Sequence, residues 1–254
     1  MTAILALAGR DFRANMFSLR GASIMFFFLI ILGAFFQSFV YTFVEMSSSA
    51  PSMGASPPNL DQLVQATCHN LNFILLMALP AVTMASFSEE RKTKSLRLLQ
   101  TAPIGAFEIV MGKFFACFMV LSVVLVGSFV YMGFIAAYGK PDFGLMASSY
   151  LGLFLLVASH VAFGIFVSSM TSHQFLAFIF TLGGLFFMLI LNWIAPNIAS
   201  DTGVQGFVKY LASTTHLDPF FKGVISVGDV SYFLLMTVLF LFLSAQVIDS
   251  QRWR

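Results

Sequence analysis

Charge is what this sequence has least of. Only 9% of its 254 residues are Asp, Glu, Lys or Arg, against roughly 25% in ordinary soluble domains, so ionised side chains cannot cover a water-soluble fold. Cysteine is nearly as scarce. Cys68 and Cys117 lie far apart inside apolar segments, without the C-x-x-C spacing of a metal or redox site. The net charge is only +2 and no basic patch stands out, which excludes a nucleic-acid partner. A phosphate-binding loop is missing too: Gly105 and Gly112-Lys113 approach G-x4-G-K-[ST], but six residues separate the glycines and Phe114 replaces the hydroxyl residue. There is no solenoid repeat, heptad array or low-complexity tail.

What is present is apolar. Hydrophobic residues make up 59%, with 32 Phe and 14 Met, and the mean hydropathy is +0.91. Apolar runs at about 22–44, 67–87, 109–137, 146–169, 175–196 and 230–249 each approach the ~20 residues needed to cross a bilayer core. The expected fold class is therefore all-α: a polytopic membrane protein with six transmembrane helices, forming a single transmembrane domain over residues 1–254. The first run follows Arg10, Arg13 and Arg20 as a signal peptide would, yet it is about twice as long as an h-region of roughly 7–15 residues. Ser48 and Ala50 mimic a cleavage site, but Pro51 follows directly, so the run reads as a retained helix.

Six crossings put both termini on one side, and Lys and Arg resist translocation. With the termini in the cytoplasm, the inner side holds Arg10, Arg13, Arg20, Arg91, Lys92, Lys94, Arg97, Lys113, Arg252 and Arg254, and the outer side Lys140, Lys209 and Lys222. Ten basic residues against three fix that orientation. Before the first span, Ile4, Leu5, Ala8, Phe12 and Met16 recur at helical spacing, which predicts an interfacial helix over about 2–19. The segment 45–66, with Ser47 to Ser49, Pro51, Pro57 and Pro58, predicts a turn-rich outer loop. The segment 197–229 mixes polar residues with Leu217, Phe220 and Phe221, as short helices dipping back toward the bilayer would.

The densest charge falls between spans two and three, over residues 86–105. Ser86 and Glu89 have capping-box spacing, Glu89 and Glu90 suit the positive end of a new helix, and Arg91, Lys92, Lys94 and Arg97 follow where cations are favoured. Pro103 and Gly105 stop that helix, and the Lys113 stem can snorkel to the interface at the start of span three. Leu96, Leu98 and Leu99 among these cations suit either anionic lipid or a groove on a cytosolic partner. Pro80 predicts a kink in span two just before the charged segment.

The run from Pro80 to Arg91 (PAVTMASFSEER), then Leu99 to Ile104 (LQTAPI) and Gly112-Lys113-Phe114, resembles the signature of ABC-2 type transporter permeases. Within that superfamily the chain is most similar to the gliding-motility-type permease subunit, and it also resembles permeases of nitrous-oxide-reductase maturation transporters. The likeness extends to Ser168-Ser-Met-Thr-Ser-His-Gln174 and Phe221-Lys-Gly-Val-Ile-Ser226, while Lys94-Ser95 departs from the Gly-Thr pair many members carry. The resemblance implies an ABC-2 (type V exporter-like) permease in the bacterial inner membrane. Its partners would be a cytosolic ABC ATPase dimer that holds ATP and Mg, and a second permease copy or a companion membrane subunit with a larger outer domain. The ATPase-coupling residues would be Glu89, Glu90, Arg91, Lys92, Lys94, Arg97, Leu98, Leu99 and Pro103, and the chain itself would carry no cofactor.

Polar side chains inside spans are functional candidates by default. Gln37, Asn70, Asn72, His160 and Asn192 can face a substrate path or hydrogen-bond a neighbouring helix. His160, Gly164 and Ser168 share one helical face, and Ala158 with Ala162 forms a small-residue pair, a pattern of close packing. Cys68-His69 is too small a set for a metal site, and His216 with Asp218 lacks a third ligand. An intramembrane hydrolase or lipid transferase would need a nucleophile with a base or paired acids at helical spacing. His160 has no obvious carboxylate partner and spans two to five hold no Asp or Glu well inside the bilayer. A mechanical subunit acting on an envelope partner would use the same loop and motor as a transporter.

Overall fold

The computed structural model describes residues 2–50, 58–92, 105–195 and 203–250. Among these the chain is all-helical, in the order α1 Thr2–Met16, α2 Leu19–Ser49, α3 Leu60–Thr83, α4 Ala85–Lys92, α5 Ala106–Tyr138, α6 Phe143–Met170, α7 Gln174–Ile194, α8 Gly203–Leu211, α9 Ser213–Phe221 and α10 Val227–Ser250. Six helices are long and apolar enough to cross a membrane, with α3 and α4 counted as one span over Leu60–Lys92. Their surface carries Phe26, Phe27, Ile30 and Phe35 from α2 and Phe175, Phe180, Phe187 and Trp193 from α7. In water an apolar surface of that extent would aggregate; in lipid it is the ordinary solvent-facing side.

The interior is built around α6, which is flanked by α3, α5, α7, α9 and α10 and buries Leu153, Leu156, Val157, Val161, Ala162 and Ile165. Backbones approach closely where side chains are smallest. A Cβ placed on Gly164 would lie 2.4 Å from Thr83 Oγ1 on α3, and one on Gly184 of α7 would lie 2.4 Å from the Phe163 ring. Buried hydroxyls are satisfied along their own helices: Thr67 donates to Leu63 O at 2.8 Å, Ser159 to Leu156 O at 2.9 Å and Ser244 to Phe240 O at 2.7 Å. Each of these bonds satisfies a hydroxyl where no water can substitute.

Two boundaries differ from expectation. The loop expected over 45–66 is helical at both ends, because α2 runs to Ser49 and α3 begins at Leu60, while residues 51–57 lie outside the described residues. Ser48 and Ser49 donate to Glu45 O at 2.9 Å each, so the serines stay bonded within the helix rather than turning out of it. The expected N-terminal helix is present as α1. Its apolar face lies against α5 and α2: Leu7 sits on Gly112, and Phe12 and Met16 pack on Met25, Val120 and Val124.

At the opposite end, α8 and α9 are the short helices expected between spans five and six. Helix α9 tucks Leu217, Phe220 and Phe221 into the core, and Ser148 donates to Phe220 O at 2.8 Å. His216 pairs with Asp229 at 2.6 Å rather than with Asp218, and stacks on Tyr232 at 4.0 Å.

Gly164→Ala should lower stability by about 1–3 kcal/mol through overpacking against Thr83. Gly133→Ala, whose Cβ would meet nothing within 4 Å, should leave it unchanged or raise it. Thermal unfolding of the purified chain in detergent compares the two.

Candidate functional site: a clamped elbow

Helix α3 ends at Thr83 and α4 starts at Ala85, and Met84 between them keeps helical dihedrals with its N–H on Pro80 O at 2.9 Å. The Ser168 side chain from the end of α6 is inserted there. Its hydroxyl accepts from Phe87 N at 3.1 Å and Ser88 N at 3.3 Å and donates to Met84 O at 3.1 Å. Ser88 Oγ also donates to Met84 O. A side chain entering the backbone ladder loosens it locally, and here it ties the α3–α4 junction to another helix.

Past the junction, each charged residue of α4 reaches a different element. Arg91 donates to Ser169 O at 2.6 Å, placing a cation on the C-terminal carbonyls of α6, where the helix dipole favours it. Glu89 accepts from Gln174 Nε2 at 3.0 Å, which sets a carboxylate at the N-terminus of α7. Glu90 lies 2.8 Å from Lys113 Nζ on α5, and Lys113 also meets Asp11 of α1 at 3.3 Å. Arg10 completes the group, 2.9 Å from Asp11 and 3.7 Å from Glu90. Phe87 and Ser88 form the buried underside of α4, and Glu89 and Lys92 its exposed side.

Lys113 therefore does not snorkel. Its side chain is only 4% exposed and its ammonium lies 5.1 Å above the Phe87 ring. Two carboxylates from two other helices supply inside the protein what water would have supplied outside. The expected Ser86–Glu89 capping box is likewise not formed, since Ser86 lies within α4 and its hydroxyl meets Cys117 Sγ at 3.1 Å. Instead Glu108 reaches back to Gly105 N at 3.2 Å and caps α5.

Of the residues singled out from the sequence, Glu89, Glu90, Arg91 and Lys92 come together on α4. Lys94, Arg97, Leu98, Leu99 and Pro103 lie outside the described residues. Asp11, Lys113, Ser168, Ser169 and Gln174 complete the cluster without having been chosen. The signal for the first two was an acid in a basic N-terminal segment and a lysine inside an apolar run, each of which needs a partner.

The in-span candidates do not converge. Gln37 is exposed on α2, and Asn192 accepts from Thr215 Oγ1 of α9 at 3.2 Å, a packing bond between helices. Asn72 is buried on α3, beyond Asn70, whose side-chain amide nitrogen has no partner among the described residues. His160 is 5% exposed, with neither ring nitrogen hydrogen-bonded among the described residues, in a small cavity lined by Ser159, Phe163, Met188, Ser213 and Tyr232. As expected, Gly164 and Ser168 on the same helix serve close packing, against Thr83 and the elbow. Cys68 is buried while His69 is exposed, edge-on to Phe221. Among the described residues no three His, Cys, Asp or Glu side chains are placed to hold a metal ion.

Six candidate membrane spans thus carry a charged, cross-braced segment at one end. The chain belongs to the ABC-2 transporters: residues 5–249 match the family described as ABC-2 family transporter protein. It is thus a permease component of an ABC transporter and a multi-pass membrane protein. No curated protein matches it.

Lys113→Met should leave Asp11 and Glu90 facing each other and cost toward the lower end of the about 3–5 kcal/mol typical of a broken buried pair. The triple change Asp11→Asn, Glu90→Gln, Lys113→Met should recover most of that loss in the same detergent melt. His160→Leu should change stability by less than about 1 kcal/mol, since a polar group without partners loses no bond. A stable His160→Leu chain that has lost its ATP-dependent function would move His160 from packing to the substrate path.

Proposed function

We propose that this permease is driven by a separate cytosolic ABC ATPase dimer, which binds ATP and Mg and grips the charged elbow, and that the elbow passes the stroke into the spans. The observation that carries this reading is the bracing of α4. One eight-residue helix is tied to α6 by Ser168 and Arg91, to α7 by Glu89, and by Glu90 to Lys113 of α5 and Arg10 of α1. A displacement of α4 cannot be absorbed locally and must move four helices. Lys92 on the exposed side, with Lys94, Arg97, Leu98, Leu99 and Pro103 further along the sequence, supplies the surface for the ATPase.

In this reading the elbow and both termini face the cytoplasm of a bacterial inner membrane, as the ten-to-three distribution of basic residues supports. The permease works as a pair, with a second copy or with a companion membrane subunit bearing a larger outer domain. In this reading the chain is a permease of the gliding-motility type, which its motifs from Pro80 to Arg91 and Leu99 to Ile104 resemble. Energy from ATP then switches access for a substrate along the spans.

Two measurements test the proposal together. Lys92→Glu with Arg97→Glu should cut ATP hydrolysis by the purified permease–ATPase complex by at least about tenfold, the equivalent of roughly 1.4 kcal/mol of coupling, with permease levels unchanged. Because Cys68 and Cys117 are both buried, a cysteine introduced at Lys140 should react with an impermeant thiol reagent on intact cells and one at Lys92 should not. Copurification without any ATPase, full activity of the charge-reversed complex, or outside labelling at Lys92 would each overturn it.

A further inference from the structure

The last carbonyls of a helix find no partner within it, and at the C-terminus of α8 two side chains from other elements reach them. Tyr232 Oη of α10 donates to Leu211 O at 3.0 Å, and Nε2 of His216 on α9 lies 3.1 Å from Tyr210 O. The other ring nitrogen of His216, Nδ1, lies 2.6 Å from a carboxylate oxygen of Asp229 in the first turn of α10. The imidazole is buried, stacked on the Tyr232 ring at 4.0 Å and met edge-on by the Tyr210 ring at 5.1 Å.

Both ring nitrogens therefore face oxygen acceptors. A carbonyl oxygen can only accept and a neutral imidazole has a single N–H, so both contacts are hydrogen bonds only when the His216–Asp229 pair holds one further proton. On His216 that proton makes an imidazolium donating at both nitrogens. On Asp229 it makes an acid donating to Nδ1, while Nε2–H serves Tyr210 O. The proton count is the same in either form and belongs to the pair. The surroundings match the first: a carboxylate, the negative end of a helix and the face of a tyrosine ring each attract a cation.

We propose that His216 and Asp229 form a proton-binding latch, in which one proton fastens α8 to α9 and α10 at the end of the bundle away from the elbow. With the proton gone, Nδ1–H keeps the shorter, charge-assisted contact to Asp229, and the Nε2 lone pair is turned on the Tyr210 carbonyl. One of the two side chains that hold the α8 C-terminus is then lost, and Tyr232 remains. Helix α8 is the element such a loss can move. Helix α9 keeps Leu217, Phe220 and Phe221 in the core, whereas Phe207, Lys209 and Tyr210 of α8 are exposed. Around α9, α6 presents Tyr150, which bonds Ser128, and His160, which shares a cavity with Tyr232. Helix α3 presents His69, which feels Asp218 and Lys222, and α7 carries no ionisable side chain. In the transport reading above this end faces outside the cell, so the latch answers to external acidity; its chemistry does not depend on that reading.

The experiment uses the full-length permease in nanodiscs, without ATPase or nucleotide. Ser213→Cys places a nearly isosteric thiol at the buried junction of α8 and α9. Its rate with a soluble thiol reagent is divided by the rate of a cysteine at exposed Lys140 at the same pH, which removes the ordinary rise in thiolate. Between about pH 5 and about pH 9, a range that brackets an ordinary imidazole, the ratio should rise at least about tenfold in one single-proton step. Asp229→Asn, which removes the charge that holds the proton, should move that step down by about one pH unit or more. His216→Phe, which keeps a stacked ring without its nitrogens, should give a ratio that is high and flat with pH. If the Ser213→Cys chain fails to fold, Ala212→Cys at the same junction takes its place, and Asp229→Asn decides alone if His216→Phe does not fold. A flat ratio in the chain with His216 and Asp229 intact, or a step unmoved by Asp229→Asn, would overturn the proposal. So would a step that survives His216→Phe, which would belong to His69 or His160.

Discussion

One buried ammonium organises the charged end of this bundle. Lys113 sits inside a helix whose other faces are apolar, and a charge withdrawn from water must be paired or expelled. Asp11 and Glu90 perform the pairing from two different elements. The positions of α1 and α4 relative to α5 are consequently set by electrostatics as much as by shape. Arg10, more exposed than any of the three, offsets the second carboxylate from the solvent side.

The other half of the elbow depends on a small neutral group. Pro80 has no backbone N–H and weakens the ladder ahead of it, α3 gives way to α4 at Met84, and the Ser168 hydroxyl holds that junction with three hydrogen bonds. Gly164, one turn earlier on α6, removes the bulk that would otherwise hold α3 away at Thr83. Glycine and serine four residues apart thus do one job between them: approach, then anchoring. Charge fixes α4 to α1 and α5 and hydroxyl chemistry fixes it to α6, so the junction is defined from both sides.

The spans were legible in the sequence because hydropathy is a sum over twenty residues and tolerates local error. Their ends were not, since Ser48 and Ser49 read as turn formers until their hydroxyls are seen bonding back to Glu45. The charge of the elbow was legible from Glu89 to Lys92, but its bracing was not. No periodicity connects Asp11 to Lys113, 102 residues away, or Met84 to Ser168. In-span polar residues chosen by type are scattered in the fold: Asn192 bonds across to α9, Gln37 faces outward, and the charged groups that converge lie where spans end. Lys113 misled for a physical reason, because a lysine near a helix start is usually read as reaching for water, and only the fold shows that acids reach it first.

The three-cornered ion cluster also constrains how the gene can drift. Loss of Lys113 leaves Asp11 and Glu90 facing each other without their shared cation, so of the three positions 113 is the hardest to change alone. Descent should therefore keep Lys113 with its acids or exchange all three together for an uncharged trio, and the boundary between lineages that did one or the other would mark where two ways of fastening the N-terminal helix parted.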